Sequence, residues 1–407
     1  MSVMTKEFGK HGLPLDIQYC KKCSMNNQRP SSTIEFKNKP GDKKKPIYFN
    51  AEGVCDACNY SVKKKEINWG EREKELWELC NKFRRSDGRY DVVCPGSGGK
   101  DSVMAAHILK YKFNMNPILI TWPPAIYTGI GRRNFDTWLD SGFANYTYNQ
   151  NRKVHKILTK LAFEKLCHPF QPFILGQKNL APKLSVMLDI PLVIFGENEA
   201  EYGNAIEDNE KPTRDPKYYT AENQLDDLYL GGVNARELMD EYDFTLADLE
   251  AYLPTNPYNL ERVGTQVHYL GYYQKWHPQE TYYFAVENSD FMPNDARTEG
   301  GYSKYSSLDD KVDWLHYYTT YVKFGIGRAT YDSAQEIRNG DITRDEAILL
   351  IKRFDGEFPQ IYLQSCLEYM GISEQKFHDV IEEARTSHLW NKDHGVWKLS
   401  KPIYETD

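Results

Sequence analysis

The distribution of apolar positions divides the chain into three regions. Residues 1–65 show little apolar periodicity, and they contain two cysteine pairs. From about residue 70, short apolar runs alternate with segments of helical spacing, and beyond residue 205 a polar, proline-containing stretch leads into further helical segments. We therefore predict a cysteine-rich segment at 1–65, an α/β domain at 66–205 and a mainly helical region at 206–407.

The α/β region is predicted from strands and helices that follow one another through short turns. Such alternation is typical of a parallel sheet with helices on both faces, and this is the predicted fold class. Beyond residue 205, helix starts are predicted at the capping residues Thr245, Thr343 and Ser373. The predicted strands are 90–94, 117–121, 146–148, 172–175 and 192–195, and the predicted helices are 71–85, 104–111, 135–139, 153–166 and 180–188.

A glycine-rich turn separates the first predicted strand from the following helix. At this position backbone N–H groups and the helix dipole attract an anion, and the glycines allow phosphate oxygens to approach the backbone. The turn is not a Walker A loop, because Lys100 is followed by Asp101. An acidic residue in a phosphate loop indicates Mg²⁺ bound with the phosphates. The alternative is a tight turn without a ligand. The predicted nucleotide-binding residues of this turn are Ser97, Gly98, Gly99, Lys100, Asp101 and Ser102.

Composition and charge narrow the class of protein. The chain has 407 residues and a net charge of -7, which argues against a general nucleic-acid binder. Residues 1–16 lack the apolar stretch of a signal peptide, and no apolar run is long enough to span a membrane. We therefore expect a cytoplasmic protein with reduced thiols.

Two CxxC pairs, Cys20 with Cys23 and Cys55 with Cys58, supply four thiolates for a tetrahedral zinc site. Because the segment around them has few apolar residues, a structural zinc ion would account for its order. An iron–sulfur cluster and a redox dithiol are the alternatives.

Polar residues follow the strand predicted at 192–195. Glu197, Asn198, Glu199 and Glu201 come after the carboxyl end of this strand, which faces the same crevice as the glycine-rich turn. We predict that Glu197 and Asn198 bind metal or substrate and that one carboxylate accepts a proton from an attacking nucleophile. The alternative is a solvated helix start.

The helical region carries cations close to aromatic residues and glycines. Lys304, Lys323 and Arg328 are predicted to bind the acidic groups of a substrate, with aromatic rings against a ring of the substrate. The alternative is a pair of helices held by ion pairs and tyrosine packing.

The turn Ser97–Ser102 resembles the pyrophosphate-binding loop of the ATP pyrophosphatases, the PP-loop superfamily that includes asparagine, GMP and NAD synthetases. The resemblance implies an adenine nucleotide alpha hydrolase-like fold and cleavage of ATP to AMP and pyrophosphate. It also implies that the chain at the end of the second strand, Leu119–Trp122 with Thr121, lines the adenosine pocket.

Further segments resemble the N-acetyl sugar amidotransferases, a family that includes the surface-polysaccharide and the pseudaminic or legionaminic acid amidotransferases of Gram-negative bacteria. The resemblance implies a role in substrate binding for Arg132, Arg133, Glu201 and Tyr202. The similar segments are 127–135, 195–203, 270–276 and 323–332.

This resemblance implies an amidotransferase that adenylates the N-acetyl oxygen of a surface sugar and replaces it with ammonia. No glutaminase motif is found in the sequence. The family resemblance therefore implies ammonia from a separate glutaminase similar to that of histidine biosynthesis, with its barrel companion. Two other hypotheses stay open at this point, a tRNA-thiolating PP-loop enzyme and a non-catalytic nucleotide-binding subunit.

Overall fold

A computed structural model describes residues 8–197, 201, 210–222 and 225–406. Its strands are β1 (Val92–Pro95), β2 (Pro117–Thr121), β3 (Asn145–Thr147), β4 (Leu192–Phe195), β5 (Tyr229–Leu230), β6 (Val233–Asn234), β7 (Gln266–Tyr269), β8 (Trp390–Asp393) and β9 (Val396–Leu399).

The α-helices of the described residues are α1 (Asp56–Glu66), α2 (Trp69–Phe83), α3 (Lys100–His107), α4 (Gly129–Asp140), α5 (Arg152–Leu166), α6 (Gln171–Leu188), α7 (Ala235–Tyr242), α8 (Leu246–Leu249), α9 (Pro257–Val263), α10 (Leu270–Tyr273), α11 (Pro278–Ser289), α12 (Lys311–Phe324), α13 (Arg328–Asn339), α14 (Arg344–Phe354), α15 (Gln360–Met370) and α16 (Glu374–Ala384). A π-helical turn, Ile108–Lys112, continues α3, and the 3-10 turns are Glu35–Lys37, Pro216–Tyr218, Leu225–Asp227 and Ile403–Glu405.

The centre of the molecule is a five-stranded sheet with the order β3-β2-β1-β4-β7. All four pairings are parallel, and Val93 of β1 lies between Ile118 of β2 and Val193 of β4. The chain first runs outward from β1 through β2 to β3, then crosses to the other side of β1 to form β4. Such a reversal opens a crevice at the carboxyl ends of the strands, where open α/β sheets bind ligands.

Alternate residues of the central strands point into two different cores. Val93, Ile118 and Val193 belong to a core shared with α5 and α6. Val92 and Leu119 belong to a core on the other face, shared with α2 and α3. Because both faces of the sheet are covered, its three central strands, β1, β2 and β4, are almost entirely apolar. The predicted fold class is confirmed.

One predicted strand is wrong, and one strand of the sheet was not predicted. Residues 172–175, predicted as a strand, lie in the first turns of α6. A short apolar run has the same composition in a buried helix as in a buried strand, and Pro172 is compatible with a helix start because its missing N–H is not needed there. The sheet instead takes its fifth strand, β7, from Gln266–Tyr269, within the region that was predicted to be mainly helical.

Three helices of the helical region begin at the predicted residues. Thr245 and Thr343 form capping boxes with Asp248 and Glu346, and Ser373 accepts a hydrogen bond from the Lys376 backbone N–H. The antiparallel pair β8–β9, which follows α16, was not predicted. Within the described residues, no helix is both long and apolar enough to cross a bilayer.

The cysteine-rich segment packs against the helical region instead of standing apart. The four paired cysteines share a core with Phe324, Ile326 and Ala334. The Ser24 hydroxyl lies 3.2 Å from the Ser333 hydroxyl on α13. The segment therefore supports α13 from the side.

Candidate nucleotide and acceptor site

The glycine-rich turn joins β1 to α3 in a conformation that depends on glycine. Gly98 has a φ of +86°, and a Cβ at this position would lie 2.6 Å from the Cα of Phe135 on α4. A Cβ on Gly96 would lie 2.2 Å from the Cβ of Ser102. The turn is thus pressed against α4 on one side and closed over its own helix start on the other.

Thr121 fixes this turn to the neighbouring strand. Its hydroxyl donates to the Gly96 carbonyl at 2.7 Å and accepts from the Asn145 amide at 2.8 Å. The Thr121 side chain is fully buried and does not line the cavities described below. The structure therefore gives Thr121 a positioning role behind the turn, where a nucleotide contact was predicted.

Two cavities meet at the turn. The first, which we call the sheet-edge cavity, has a volume of about 270 Å³ and lies at the carboxyl ends of β1, β2 and β4. Trp122, Phe173 and Phe195 give it apolar walls, and Ser102 lines it at the turn. The Trp122 indole N–H is buried without a hydrogen-bond partner among the described residues. A cavity with aromatic walls and an unused donor suits a nucleobase.

The second cavity, the loop cavity, has a volume of about 410 Å³ and lies between the turn and the helical region. Its walls are mostly polar and include residues of α12 and α13. The two cavities share six lining residues, namely Ser97, Gly99, Asp101, Phe173, Gln177 and Glu197. A ligand that extends from one cavity to the other must therefore pass the turn and Glu197.

Asp101 and Lys100 stand at the junction of the cavities. The Lys100 ammonium lies 2.5 Å from one carboxylate oxygen of Asp101, and the Trp276 indole donates to the other at 2.7 Å. Both charged side chains are largely buried, with 14% and 16% of their surface exposed. The positive charge of the Lys100 ammonium and the N-terminus of α3 make the surroundings of these two residues favourable for a phosphate group.

Trp276 is itself held from behind. The Lys64 ammonium on α1 donates to the Trp276 carbonyl at 2.6 Å and forms a buried ion pair of 2.5 Å with Glu201. The Arg338 guanidinium also donates to the Glu201 carbonyl, at 2.8 Å. Glu201, predicted to bind substrate, instead links α1 and α13 behind the loop cavity.

Carboxylic acids dominate the wall of the loop cavity opposite the turn. One guanidinium group, that of Arg328, lies among these acids. It donates to Asp332 at 3.0 Å and to the Ser307 hydroxyl at 2.7 Å. It also lies 4.5 Å from the centre of the Tyr317 ring. Although burial disfavours its charge, Asp332 and Tyr317 keep the Arg328 pKa above its ordinary value. The acids of this wall are Asp309, Asp313, Asp332 and Glu336.

Burial changes the charge state of this wall. It raises the pKa of Asp313 to about 6 and that of Glu336 to about 7. Burial also raises the pKa of Asp309, although a hydrogen bond with the Ser97 side chain opposes the rise. Asp313 and Glu336 therefore exchange protons near neutral pH, and a protonated carboxyl group can donate a hydrogen bond as well as accept one.

Asp309 is held in place by the start of α4. The Thr128 backbone N–H donates to the Asp309 carbonyl at 3.1 Å, and a Cβ on Gly131 would lie 2.3 Å from the Asp309 Cα. Asp310 caps α12 and accepts from the Ala125 backbone N–H at 2.5 Å. The start of α12 is thus joined to the segment after β2.

The structure brings only part of the predicted site together. Of the three cations predicted in the helical region, Arg328 alone lines the loop cavity; Lys304 is exposed and Lys323 lines a separate cavity. On α4, Arg132 pairs with Asp136 and Arg133 donates to the Asp290 carbonyl. Asn198 and Tyr202 lie outside the described residues. The predicted residues that line the loop cavity are Ser97, Gly98, Gly99, Lys100, Asp101, Glu197 and Arg328.

The individual roles of several site residues were not predicted from the sequence. Asp332 and Glu336 lie in the basic and aromatic stretch that was predicted to bind substrate as a group, but neither carboxylate was given a role of its own. They follow Arg328 at intervals of four residues, a spacing that places all three on one helix face. Trp276, Asp309 and Asp313 have no comparable signal, because folding alone places them beside the turn.

The paired cysteines form a separate centre. Their Sγ atoms all lie within 4.8 Å of one another, and they are the one such His, Cys, Asp and Glu cluster found in the described part of the chain. Cys20 and Cys58 are 3.8 Å apart and Cys23 and Cys55 are 3.7 Å apart, measured between sulfurs. A tetrahedron with Zn–S bonds of about 2.3 Å has edges of about 3.8 Å. The cluster could therefore bind zinc.

Backbone donors also fit a thiolate centre. The N–H groups of Lys22 and Cys55 point to the Cys20 sulfur at 3.4 Å, and that of Met25 points to Cys23 at 3.5 Å. Such donors stabilise the negative charge of metal-bound thiolates. A multi-iron cluster binds its thiolates to different iron atoms and spreads them further apart, so the spacing favours a single tetrahedral ion.

The parallel sheet and the glycine-rich turn after β1 resemble those of PP-loop α/β proteins. Residues 299–404 match the family model described as "LPS biosynthesis protein WbpG-like, C-terminal domain". This match confirms the resemblance to the surface-polysaccharide enzymes and associates the chain with lipopolysaccharide biosynthesis.

Two other proteins are similar to parts of the chain. "Uncharacterized protein MJ1599" of Methanocaldococcus jannaschii is 34% identical over 77 residues, which are 19% of this chain and 27% of that protein. A solved structure described as a predicted subunit of tRNA methyltransferase from the same organism is 15% identical, with a TM-score of 0.25. It covers 60% of this chain and 92% of its own. Neither likeness assigns an activity.

Proposed function

We propose that the protein is an ATP-dependent amidotransferase that converts an N-acetyl group of a bacterial surface sugar to an acetamidino group. The observation that carries this proposal is the composition of the loop cavity. One side of it is the predicted pyrophosphate loop, and the opposite wall comes from the region that matches the lipopolysaccharide family. Nucleotide and sugar would therefore meet at Asp101 and Glu197.

The chemistry explains why ATP is needed. An amide carbonyl is a weak electrophile and its oxygen is a poor leaving group. In the proposed first step, the acetamido oxygen attacks the α-phosphorus of ATP, pyrophosphate leaves, and an adenylated imidate forms with loss of the amide proton. Ammonia then adds to the imidate carbon, the C–O bond breaks, and AMP departs with the former acetamido oxygen.

The described residues have distinct places in this scheme. The sheet-edge cavity would hold adenosine between Trp122 and Phe173, and the turn with Lys100 would hold the β- and γ-phosphates. Glu197 lines both cavities, so we assign it to the transfer of the amide or ammonia proton. Asn198, which lies outside the described residues, is proposed to assist it.

The acidic wall suits the product of this reaction. The N-acetyl group is neutral, whereas an acetamidino group is a strong base that carries a positive charge near neutral pH. Asp309, Asp313, Asp332 and Glu336 would favour this developing charge. Arg328 would pair with a carboxylate or phosphate of the sugar. An acidic wall would be a poor choice for an enzyme that only bound anionic RNA.

The residues at the junction fit Mg²⁺. Asp101, Glu197 and Asp309 offer hard oxygen ligands beside the turn, and Mg²⁺ usually combines one or two carboxylates with phosphate oxygens and water. When bound, the ion would neutralise charge on the departing pyrophosphate. Asp101 would exchange its contact with Lys100 for this role.

Ammonia is proposed to come from a partner glutaminase similar to the histidine-biosynthesis enzyme, together with its barrel companion. Ammonia is mostly protonated at neutral pH, so a direct supply of the neutral molecule would accelerate the second step.

Pyrophosphate exchange tests the first step without ammonia. The protein would be incubated with ATP, Mg²⁺, radiolabelled pyrophosphate and a panel of N-acetylated sugar nucleotides and nonulosonic acids. The proposal predicts label in ATP with at least one sugar of the panel and none with the matching free amine. Absence of exchange with every sugar, or exchange that requires RNA instead, would contradict the proposal.

A further inference from the structure

A third cavity, of about 260 Å³, lies between the cysteine-rich segment and the ends of α5 and α12. Lysines are the commonest residues in its lining, and we call it the lysine cavity. Its charged lining residues are Lys10, Lys39, Lys44, Lys165 and Lys323, with Asp42, Glu164 and Glu383. The lining is thus net positive in a protein whose overall charge is -7.

Lys323 is the buried cation of this cavity. Its ammonium donates to the Leu166 carbonyl at the end of α5, at 3.2 Å. Among the described residues, no carboxylate lies within ion-pair distance of it. Burial lowers the Lys323 pKa to about 8. Burial likewise lowers the pKa of Lys44, whose ammonium donates to the Asn38 side chain at 2.6 Å.

Four aromatic rings connect this cavity to the junction. His168 lines the lysine cavity, and its ring centre lies 4.7 Å from that of His316. His316 stacks on Phe170 at 5.5 Å, and Phe170 stacks on Phe173 at 4.4 Å. Phe170 lines the loop cavity, and Phe173 lines both cavities at the turn. We call these four side chains the ring path.

The two histidines of the ring path have unused nitrogens. The Nδ1 atoms of His168 and His316 are buried and have no hydrogen-bond partner in the part of the chain that the structure describes. Burial lowers the pKa of His316 to about 3 and that of His168 well below its ordinary value, so both rings are neutral. Buried polar atoms without partners are rare because they reduce stability. Two in succession between cavities indicate a polar guest.

The local fold fixes this arrangement. Cys167 adopts a left-handed conformation that ends α5, and the His168 backbone N–H donates to the Ala162 carbonyl at 3.1 Å. This turn directs the chain from α5 to Phe170 and α6. The His316 carbonyl accepts from the hydroxyls of Thr319 and Thr320 within α12. Because this backbone acceptor is already occupied, the imidazole Nδ1 is the atom of His316 that can bind the guest.

We propose that the lysine cavity is the mouth, and the His168–His316 pair the inner part, of a passage that carries ammonia to the adenylated sugar. This inference rests on the proposed function, because only that reaction requires ammonia at the junction. The cationic mouth would repel ammonium and favour its deprotonation. Neutral imidazoles would exchange hydrogen bonds with a small neutral guest without trapping it.

Substitutions in the ring path test the passage. His168→Phe and His316→Phe keep an aromatic ring but remove the nitrogens. The matched control is His107→Phe, which replaces a buried histidine that packs against Tyr111 and Phe143 in the core on the other face of the sheet. Each variant would be assayed for pyrophosphate exchange without ammonia, and for AMP formation over a range of ammonium chloride concentrations.

The passage predicts a specific kinetic pattern. Either ring-path variant should raise the apparent KM for ammonia by about tenfold, the loss expected for a hydrogen-bonding step, and leave exchange within twofold of wild type. The control should change neither. An unchanged KM for ammonia in both ring-path variants, with exchange intact, would overturn the passage alone. Absence of exchange in the wild-type protein would instead count against the proposed function.

A second measurement does not depend on turnover. In the full chain with ¹⁵N-labelled histidines, ammonium chloride at about pH 9 would supply free ammonia, with sodium chloride as the control. The passage predicts that ammonia shifts the Nδ1 resonances of His168 and His316, assigned from the two variants, and leaves His107 unchanged. Equal shifts in both salts, or none at the two histidines, would contradict it.

Discussion

At the scale of single residues, Asp101 has the central role in the proposed reaction. It lies at the start of α3 between Lys100 and Trp276 and lines both cavities at the turn. The role assigned to it in binding Mg²⁺ requires its charge, whereas its contact with Trp276 requires only an acceptor oxygen, which asparagine also has.

We expect Asp101→Asn to fold normally and to lower the rate of sugar-dependent pyrophosphate exchange by at least about a hundredfold. Asp140→Asn, at the exposed end of α4, is the matched control and should keep full exchange. If Asp101→Asn retained the wild-type rate at the same Mg²⁺ concentration, the assignment of Asp101 to the reaction would be wrong.

Glu336 gives a prediction about pH. Burial raises its pKa to about 7, so in the folded protein it holds a proton that the unfolded chain loses near its ordinary value of 4.5. The stability that this proton gives the folded protein is fully present below about pH 4.5 and is lost as the pH rises through 7. Glu336→Gln, which remains uncharged, removes this dependence.

The free energy of unfolding of the wild type, relative to Glu336→Gln, should therefore fall between about pH 4.5 and 7 by up to about 3 kcal/mol. Urea titrations of both proteins at several pH values measure it. A difference that stayed constant, or that grew with pH, would show that Glu336 is not held protonated by the fold.

At the scale of elements, the turn between β1 and α3 depends on Gly98, which combines a positive φ with close packing against α4. Gly98 has a positive φ, and a Cβ there would meet the backbone of α4. Gly88 also has a positive φ, of +73°, but a Cβ there would have no neighbour within 4 Å.

Gly98→Ala should therefore displace the turn and weaken ATP binding by more than about tenfold. Gly88→Ala should cost only the conformational strain, about 1 kcal/mol of stability. Calorimetric titration with ATP and urea unfolding separate the two effects. Equal ATP affinities in the two variants would show that packing against α4 does not shape the site.

The cysteine centre supports α13, the helix that carries Arg328, Asp332 and Glu336. Cys58→Ser should lose bound zinc and lower the stability by more than about 2 kcal/mol. Cys80→Ser, a change at another buried cysteine on α2, should keep zinc at the wild-type ratio. Elemental analysis and thermal unfolding measure both quantities. Full zinc content in Cys58→Ser would exclude the four-thiolate site.

The elements with strong local signals were predictable from the sequence. The turn at 97–102, the strands beside it and the capping boxes are determined by neighbouring residues. The strand β7 was missed because its sequence, Gln-Val-His-Tyr, is short and only partly apolar, and becomes a strand by pairing with β4. Lys323 was assigned to the substrate because it is close to Arg328 in the sequence. That closeness does not show which way the Lys323 side chain points, and in the structure the two residues line different cavities.

At the scale of the whole molecule, three regions meet around the junction of the cavities. The sheet supplies the turn, α12 and α13 supply the acidic wall, and the cysteine-rich segment reaches both through α1. Lys64 of that helix contacts Glu201 and the carbonyl of Trp276, whose indole donates to Asp101. The cysteine centre and the glycine-rich turn are therefore connected through buried polar contacts.

Transfer of an oxygen isotope tests the central claim most directly. The active sugar found by pyrophosphate exchange would be labelled with ¹⁸O in its acetamido carbonyl and incubated with the protein, ATP, Mg²⁺ and ammonium chloride. If the acetamido oxygen is adenylated and then displaced, mass spectrometry should find one ¹⁸O in the phosphate of AMP and none in pyrophosphate. AMP without the label, with ¹⁸O retained in the sugar or released to water, would contradict the account.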